Sequence, residues 1–175
     1  MNIYLIGYRC CGKTSVGKAL SGLLGRPFLD TDAMVAEKAG MTIAELVDRR
    51  GWEVFRDMET SVIDQTTRLP EPHVIATGGG AILNPDNVRN IRKAGWVIWL
   101  RVSPQTVRDR MAADPQTRIQ RPGLTPIGSM DEIESVLPAR QPLYEKAGHL
   151  VLDTDILEID VICRKIIEHI QQGNT

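Results

Sequence analysis

The chain has 175 residues, 42% of them hydrophobic and 25% charged, with a formal net charge of −1. That is one domain's length with enough apolar material for a core, which excludes a mainly disordered chain. Near-neutral charge and only 5% aromatic residues argue against a nucleic-acid binder that relies on bulk charge or base stacking.

Short β-type runs alternate with helical patterns along the chain. Residues 2–6 read as a strand that leads straight into a glycine, with no basic leader or long apolar run of a signal peptide. A helix follows over 13–24, with Val16, Leu20, Leu23 and Leu24 near helical spacing and Gly25 as its stop. A brief strand is expected at 27–29. The stretch 31–67 reads as several helices, one opened by a Thr42-x-x-Glu45 capping box and carrying the stripe Trp52, Phe55, Met58, Val62 and Ile63. A strand at 73–76 is closed by Thr77-Gly78-Gly79-Gly80.

Helix 85–94 precedes 96–100, a nearly unbroken apolar run typical of an interior parallel strand. Helix 103–111 leads into a polar loop, 114–128, with Pro115, Pro122, Gly123 and Pro126; loops that long in compact domains are usually functional. A helix over 131–144 is expected to break near Pro138 and Pro142. A last strand (150–152) and an amphipathic helix (156–171) complete the chain. Such alternation implies an α/β fold with a parallel sheet. No segment is apolar over the roughly 18 residues needed to span a bilayer. The three cysteines, Cys10, Cys11 and Cys163, form neither a disulfide framework nor a metal spacing, so a reducing cytoplasm is the expected home.

Gly7-Tyr8-Arg9-Cys10-Cys11-Gly12-Lys13-Thr14 fits the phosphate-loop pattern G-x-x-x-x-G-K-[ST], between an expected strand and an expected helix. That context is what the chemistry requires: backbone N–H groups face phosphate oxygens, and the helix N-terminus adds positive potential. Residues Cys10, Cys11, Gly12, Lys13, Thr14 and Ser15 are therefore the nucleotide-binding candidates. Lys13 would meet the β- and γ-phosphates and the Thr14 hydroxyl would ligate Mg²⁺. The pattern alone does not separate a small-molecule kinase from a GTPase or a motor ATPase. The short chain leaves little room for motor modules, and the guanine-reading Asn-Lys-x-Asp is absent.

Asp30-Thr31-Asp32 follows the second strand. Two carboxylates at i and i+2 beyond a strand's carboxyl end can share a crevice, one with a magnesium shell and the other with a substrate hydroxyl. Equally, Asp32 could simply cap the next helix.

With these residues the chain resembles the shikimate kinases, over nearly its whole length. The resemblance rests on the phosphate loop; on Phe28-Leu29-Asp30-Thr31-Asp32; on the run from Gly51-Trp52 to Met58-Glu59; on Thr77-Gly78-Gly79-Gly80; on Arg121-Pro122; and on Arg140-Gln141-Pro142-Leu143-Tyr144. It implies transfer of the ATP γ-phosphoryl group to the 3-hydroxyl of shikimate, on the path to aromatic amino acids. The implied fold is a three-layer αβα P-loop domain of the nucleoside monophosphate kinase type, spanning 1–175. It has a five-stranded parallel sheet, a helical substrate-binding segment at about 32–60 and a mobile lid at about 112–126.

By resemblance, Asp30 helps hold Mg²⁺ with Thr14. Asp32 binds shikimate hydroxyls and is the candidate base. Arg56 and Arg140 hold the carboxylate, and Gly79 and Gly80 line the pocket. Arg121 reaches the ATP phosphates from the lid, so the implied catalytic set is Lys13, Asp32 and Arg121. A monomer that binds neither nucleic acid nor membrane is expected. The chemistry agrees: a planar guanidinium fork suits a carboxylate, and a lid keeps ATP from being hydrolysed. Glu59, one turn beyond Arg56, is expected to pair with an arginine and orient it.

Cys10 stands where most members of that family carry glycine; a Cβ there narrows the allowed backbone angles if φ is positive. Arg9 is expected either to face the phosphate and acceptor crevice or, equally, to face solvent. Two other readings compete: a kinase for gluconate or a nucleoside monophosphate, and a regulatory nucleotide-binding protein.

Overall fold

Alternation along the first strand sets up two faces. Ile3 and Leu5 point one way and Tyr4 and Ile6 the other, all fully buried, as period-two geometry requires. The computed structural model describes residues 1–113 and 132–173. Its strands are β1 (Asn2–Ile6), β2 (Phe28–Asp30), β3 (Val74–Ala76), β4 (Gly95–Arg101) and β5 (Leu150–Asp153). They form a parallel sheet in the order β2-β3-β1-β4-β5. β1 lies at the centre, so its carboxyl end opens into the crevice where α/β folds bind ligands.

Helices cover both faces. One core gathers Ile3 and Leu5 with residues of α1 (Lys13–Leu24), α5 (Pro104–Ala113) and α7 (Ile159–Gly173), including Val16, Leu20, Val107, Ile162 and Cys163. The other packs Tyr4 and Ile6 against Ile63 of α3 (Ile43–Thr67), Ile91 of α4 (Pro85–Ala94) and Tyr144 of α6 (Ile133–Ala147). The parallel three-layer α/β architecture matches the expectation from sequence.

A third, smaller cluster belongs to the helices that leave the sheet. Val35 of α2 (Thr31–Ala39) packs with Leu46, Phe55 and Val62 of α3. The Thr42–Glu45 capping box forms, with both reciprocal hydrogen bonds present. Gly51 then interrupts α3 at φ 82° and ψ 168°. A residue with a Cβ rarely adopts that φ, so glycine makes the kink that redirects the chain just before Trp52, Phe55 and Arg56.

One expectation fails. The helix at 131–144 does not break at its prolines: α6 runs unbroken through Pro138 and Pro142 to Ala147. The two prolines are four residues apart and both exposed. They therefore share the solvent face, where water can satisfy the carbonyls that lose their N–H partners. The last helix also starts later than expected, at Ile159. The polar loop at 114–128, and Arg121 with it, lies outside the described residues. Among the described residues no helix is long and apolar enough to cross a membrane.

Candidate active site

The carboxyl ends of β1, β2 and β3 deliver the site. After β1 the chain enters the phosphate loop, and α1 starts at Lys13 with Gly12 as N-cap and no side chain capping it. The first-turn N–H groups are thus left to face a ligand. The buried Lys13 Nζ donates to the carbonyls of Gly7 and Tyr8, both at 2.8 Å. Cys10 has φ 59°, so the condition raised by its Cβ is met and the loop carries a non-glycine residue in the left-handed region. Arg110 of α5 braces that turn, donating to the Cys10 carbonyl at 2.9 Å and to the Thr154 carbonyl at 2.7 Å.

A cavity of about 530 Å³ opens over this loop. It is lined by Cys10 to Ser15 together with Asp30, Asp32, Arg110 and Thr154. All six loop candidates therefore face one space. Neither Arg110 nor Thr154 was singled out from the sequence. Thr154 carried one signal, its place just past the carboxyl end of a strand; Arg110 carried none.

Asp30 and Asp32 divide their work. Asp30 is the N-cap of α2, its Oδ1 accepting from the Asp32 backbone N–H at 3.0 Å. Its Oδ2 accepts from the Thr14 hydroxyl at 3.2 Å. The capping reading considered for Asp32 thus belongs to Asp30. Asp32 lines the large cavity and also a second, smaller one beside it.

The second cavity is lined by Asp32, Arg56, Glu59, Gly79, Gly80 and Arg140, with aromatic walls from Trp52 and Phe55. Arg56 lies over the rings of Phe55 and Trp52, its Cζ 5.0 and 5.3 Å from their centroids. Its Nη1 donates to Glu59 Oε2 at 2.6 Å. This is the orienting pair expected from their spacing. Burial pushes the Glu59 carboxyl above its ordinary range despite the Arg56 charge beside it.

The glycine run has a steric reason. A Cβ at Gly80 would overlap the Arg56 guanidinium, and one at Gly78 would fall against Glu59 Oε1 and Asp32 Oδ1. Bare backbone lets these three side chains come this close without any of them shifting. On the far wall, the buried Arg140 Nη1 donates to the Gly79 carbonyl at 3.3 Å. Tyr144 donates to the same oxygen at 2.5 Å.

Every described candidate residue is thus brought to one of two adjoining cavities, and Asp32 is common to both. Comparison with known proteins gives the same direction. The family model for shikimate kinase matches residues 9–171. A curated shikimate kinase 2 from Yersinia enterocolitica is 43% identical over 151 residues, 86% of this chain and 85% of that protein. A solved shikimate kinase from Acinetobacter baumannii, in complex with shikimate, superposes with a TM-score of 0.84 at 32% identity, covering 98% of this chain and 93% of that one. A deoxyadenosine kinase from M. mycoides with bound dATP, 13% identical, shares the fold with a TM-score of 0.64, over 98% of this chain and 100% of its own. A phosphate loop beside a cavity that carries Arg56 and Arg140, and a family match over almost the full length, give one conclusion: the chain belongs to the shikimate kinase family.

Proposed function

We propose that the two cavities hold ATP and shikimate, and that Asp32 stands where they meet to position the 3-hydroxyl for attack on the γ-phosphoryl group. Membership of the family makes the chain an ATP-dependent kinase of shikimate; the residue roles are our reading. The observation that carries it is the placement of Asp32 on both cavities, with Arg56 and Arg140 on the smaller one.

Phosphoryl transfer asks mainly for positioning and charge neutralisation. Lys13 and the N-terminal N–H groups of α1 take the phosphates. Arg56 and Arg140 clamp the carboxylate of the acceptor, which fixes the ring and presents one hydroxyl to Asp32. Asp32 orients that hydroxyl and receives its proton late in the transfer. Glu59 holds Arg56 in place. Arg121 is our candidate for neutralising charge on the transferring group.

Mg²⁺ fits the hard oxygens of Thr14 and Asp30, whose contact at 3.2 Å puts a hydroxyl and a carboxylate side by side at the mouth of the loop. Bound there, the ion would screen charge on the phosphate oxygens. Such sites use one or two protein ligands and take the rest from phosphate and water. The cysteine pattern supports a cytoplasmic home.

The test is ADP release from MgATP with shikimate, gluconate or a nucleoside monophosphate as acceptor. Release should depend on shikimate and stay at background with the other two. Equal release with gluconate, or release that ignores every acceptor, would contradict the reading.

A further inference from the structure

Tyr8 and Arg9, the second and third residues of the phosphate loop, line the acceptor cavity and have no role in the account above. Tyr8 is 1% exposed, and its hydroxyl has no hydrogen-bond partner among the described residues. A buried hydroxyl without a partner is costly, about 1–3 kcal/mol, and proteins seldom keep one without a use.

The surroundings of Tyr8 say what use. Arg9 lies over its ring, with Cζ 5.7 Å from the centroid. Arg9 is itself buried and pairs with the fully buried Glu132, just before α6, at 3.4 Å. Burial pushes the Tyr8 hydroxyl above its ordinary range; the charge of Arg9 opposes that, the Glu132 carboxylate adds to it, and Arg140 opposes it again. Arg140 also acts on Glu59, the partner of Arg56. Arg140 thus links the two neighbourhoods, with Tyr8 and Arg9 on one side and Arg56 on the other. An O–H donor among guanidinium groups is built to meet an anionic acceptor atom.

We propose that Tyr8 and Arg9 are further substrate-binding residues: the Tyr8 hydroxyl donates to the acceptor's carboxylate, and Arg9, held in place by Glu132, adds a third guanidinium at that end of the cavity. This rests on the reading that the second cavity takes shikimate. It also gives the phosphate loop a second duty, since the backbone that cradles ATP carries two side chains to the acceptor.

The experiment measures binding of shikimate and of its methyl ester, which lacks the anionic oxygen, by calorimetry. Wild-type protein, Tyr8→Phe and Arg9→Met are compared. Tyr8→Phe removes only the unpartnered oxygen, so unliganded stability should hold or rise while shikimate binds about 10- to 100-fold more weakly, the loss of one hydrogen bond to a charged group. Ester binding should change by less than about twofold, because the neutral group gains little from either donor. Arg9→Met should shift the acid-to-ester ratio in the same direction, with MgADP affinity unchanged.

Shikimate binding to Tyr8→Phe within twofold of wild type would overturn the proposal. So would an equal loss for acid and ester, which marks a merely structural role. Wild-type protein that binds neither compound would overturn the functional reading itself, and this inference with it.

Discussion

The nucleotide side and the acceptor side of this site are built in opposite ways. The phosphate-binding part of the nucleotide cradle is local, the run Cys10 to Val16, with Asp30, Arg110 and Thr154 joining from elsewhere, and such a loop recognises phosphate mostly through backbone N–H groups and a helix N-terminus. The second cavity is assembled from α2, α3, the glycine turn after β3, α6 and the Tyr8–Arg9 stretch of the phosphate loop, and on the proposed reading its recognition comes from side chains. A local cradle tolerates side-chain change as long as the backbone keeps its path. An assembled cavity depends on every arm, so single substitutions there should be felt more sharply and more selectively.

Asp32→Asn probes the point where the two regions meet and should have the largest effect. Turnover should fall by about 10²-fold or more, the usual scale of a lost proton acceptor, while affinity for an ATP analogue stays within about twofold. Steady-state kinetics alongside nucleotide binding separates the two, and unchanged turnover would remove Asp32 from the reaction.

Arg140→Lys comes next. It keeps the charge but loses the planar fork, forfeiting a charge-assisted hydrogen bond of about 1.5–3 kcal/mol. The KM for shikimate should rise about 10- to 100-fold with the KM for ATP nearly constant. A parallel rise in both constants would mean that the two regions are not separate.

Glu59→Gln reads the electrostatics of the acceptor side. Burial holds the folded carboxyl above its ordinary 4.5. As pH rises from that value through the raised one, the folded protein retains a proton that the unfolded chain has released. Stability therefore falls with increasing pH across that window. Denaturant unfolding of Glu59→Gln should lack this decline, and acceptor KM should rise as Arg56 loses its charged partner. A decline that persists in the variant would assign it to another group.

The smallest effect belongs to the nucleotide side. Cys10→Gly relieves a left-handed residue at φ 59°, where a Cβ costs about 1–2 kcal/mol. Part of that gain is offset by the greater entropy of glycine in the unfolded chain. The net change in unfolding free energy should be stabilising by about 1 kcal/mol or less, with ATP affinity kept. A destabilised variant would show that the Cys10 side chain contributes packing that outweighs its strain.

The same contrast explains how much could be read from the sequence. The phosphate loop is contiguous and sits between a strand and a helix, so its motif and its geometry are one signal. The acceptor residues were legible only through the order of several short motifs; Arg56 or Arg140 alone reads like any charged helix residue. The resemblance placed Gly79 and Gly80 at the pocket without a steric reason; the reason for Gly78 and Gly80 appears only when Asp32, Glu59 and Arg56 are seen packed onto them. Arg110 and Thr154 carry no motif and reach the cavity through tertiary packing. The break expected at Pro138 and Pro142 did not occur because their effect depends on which face they occupy, and their four-residue spacing puts both in water.

The central claim is that a triphosphate cradle and a carboxylate-gripping cavity meet at Asp32. A crystal structure with MgADP and shikimate tests it most directly. The account predicts the acid group against Arg56 and Arg140, the ring 3-hydroxyl within hydrogen-bond distance of Asp32, and the metal beside Thr14 and Asp30. A ring bound with its acid group turned away from both arginines, or its 3-hydroxyl out of reach of Asp32, would contradict it.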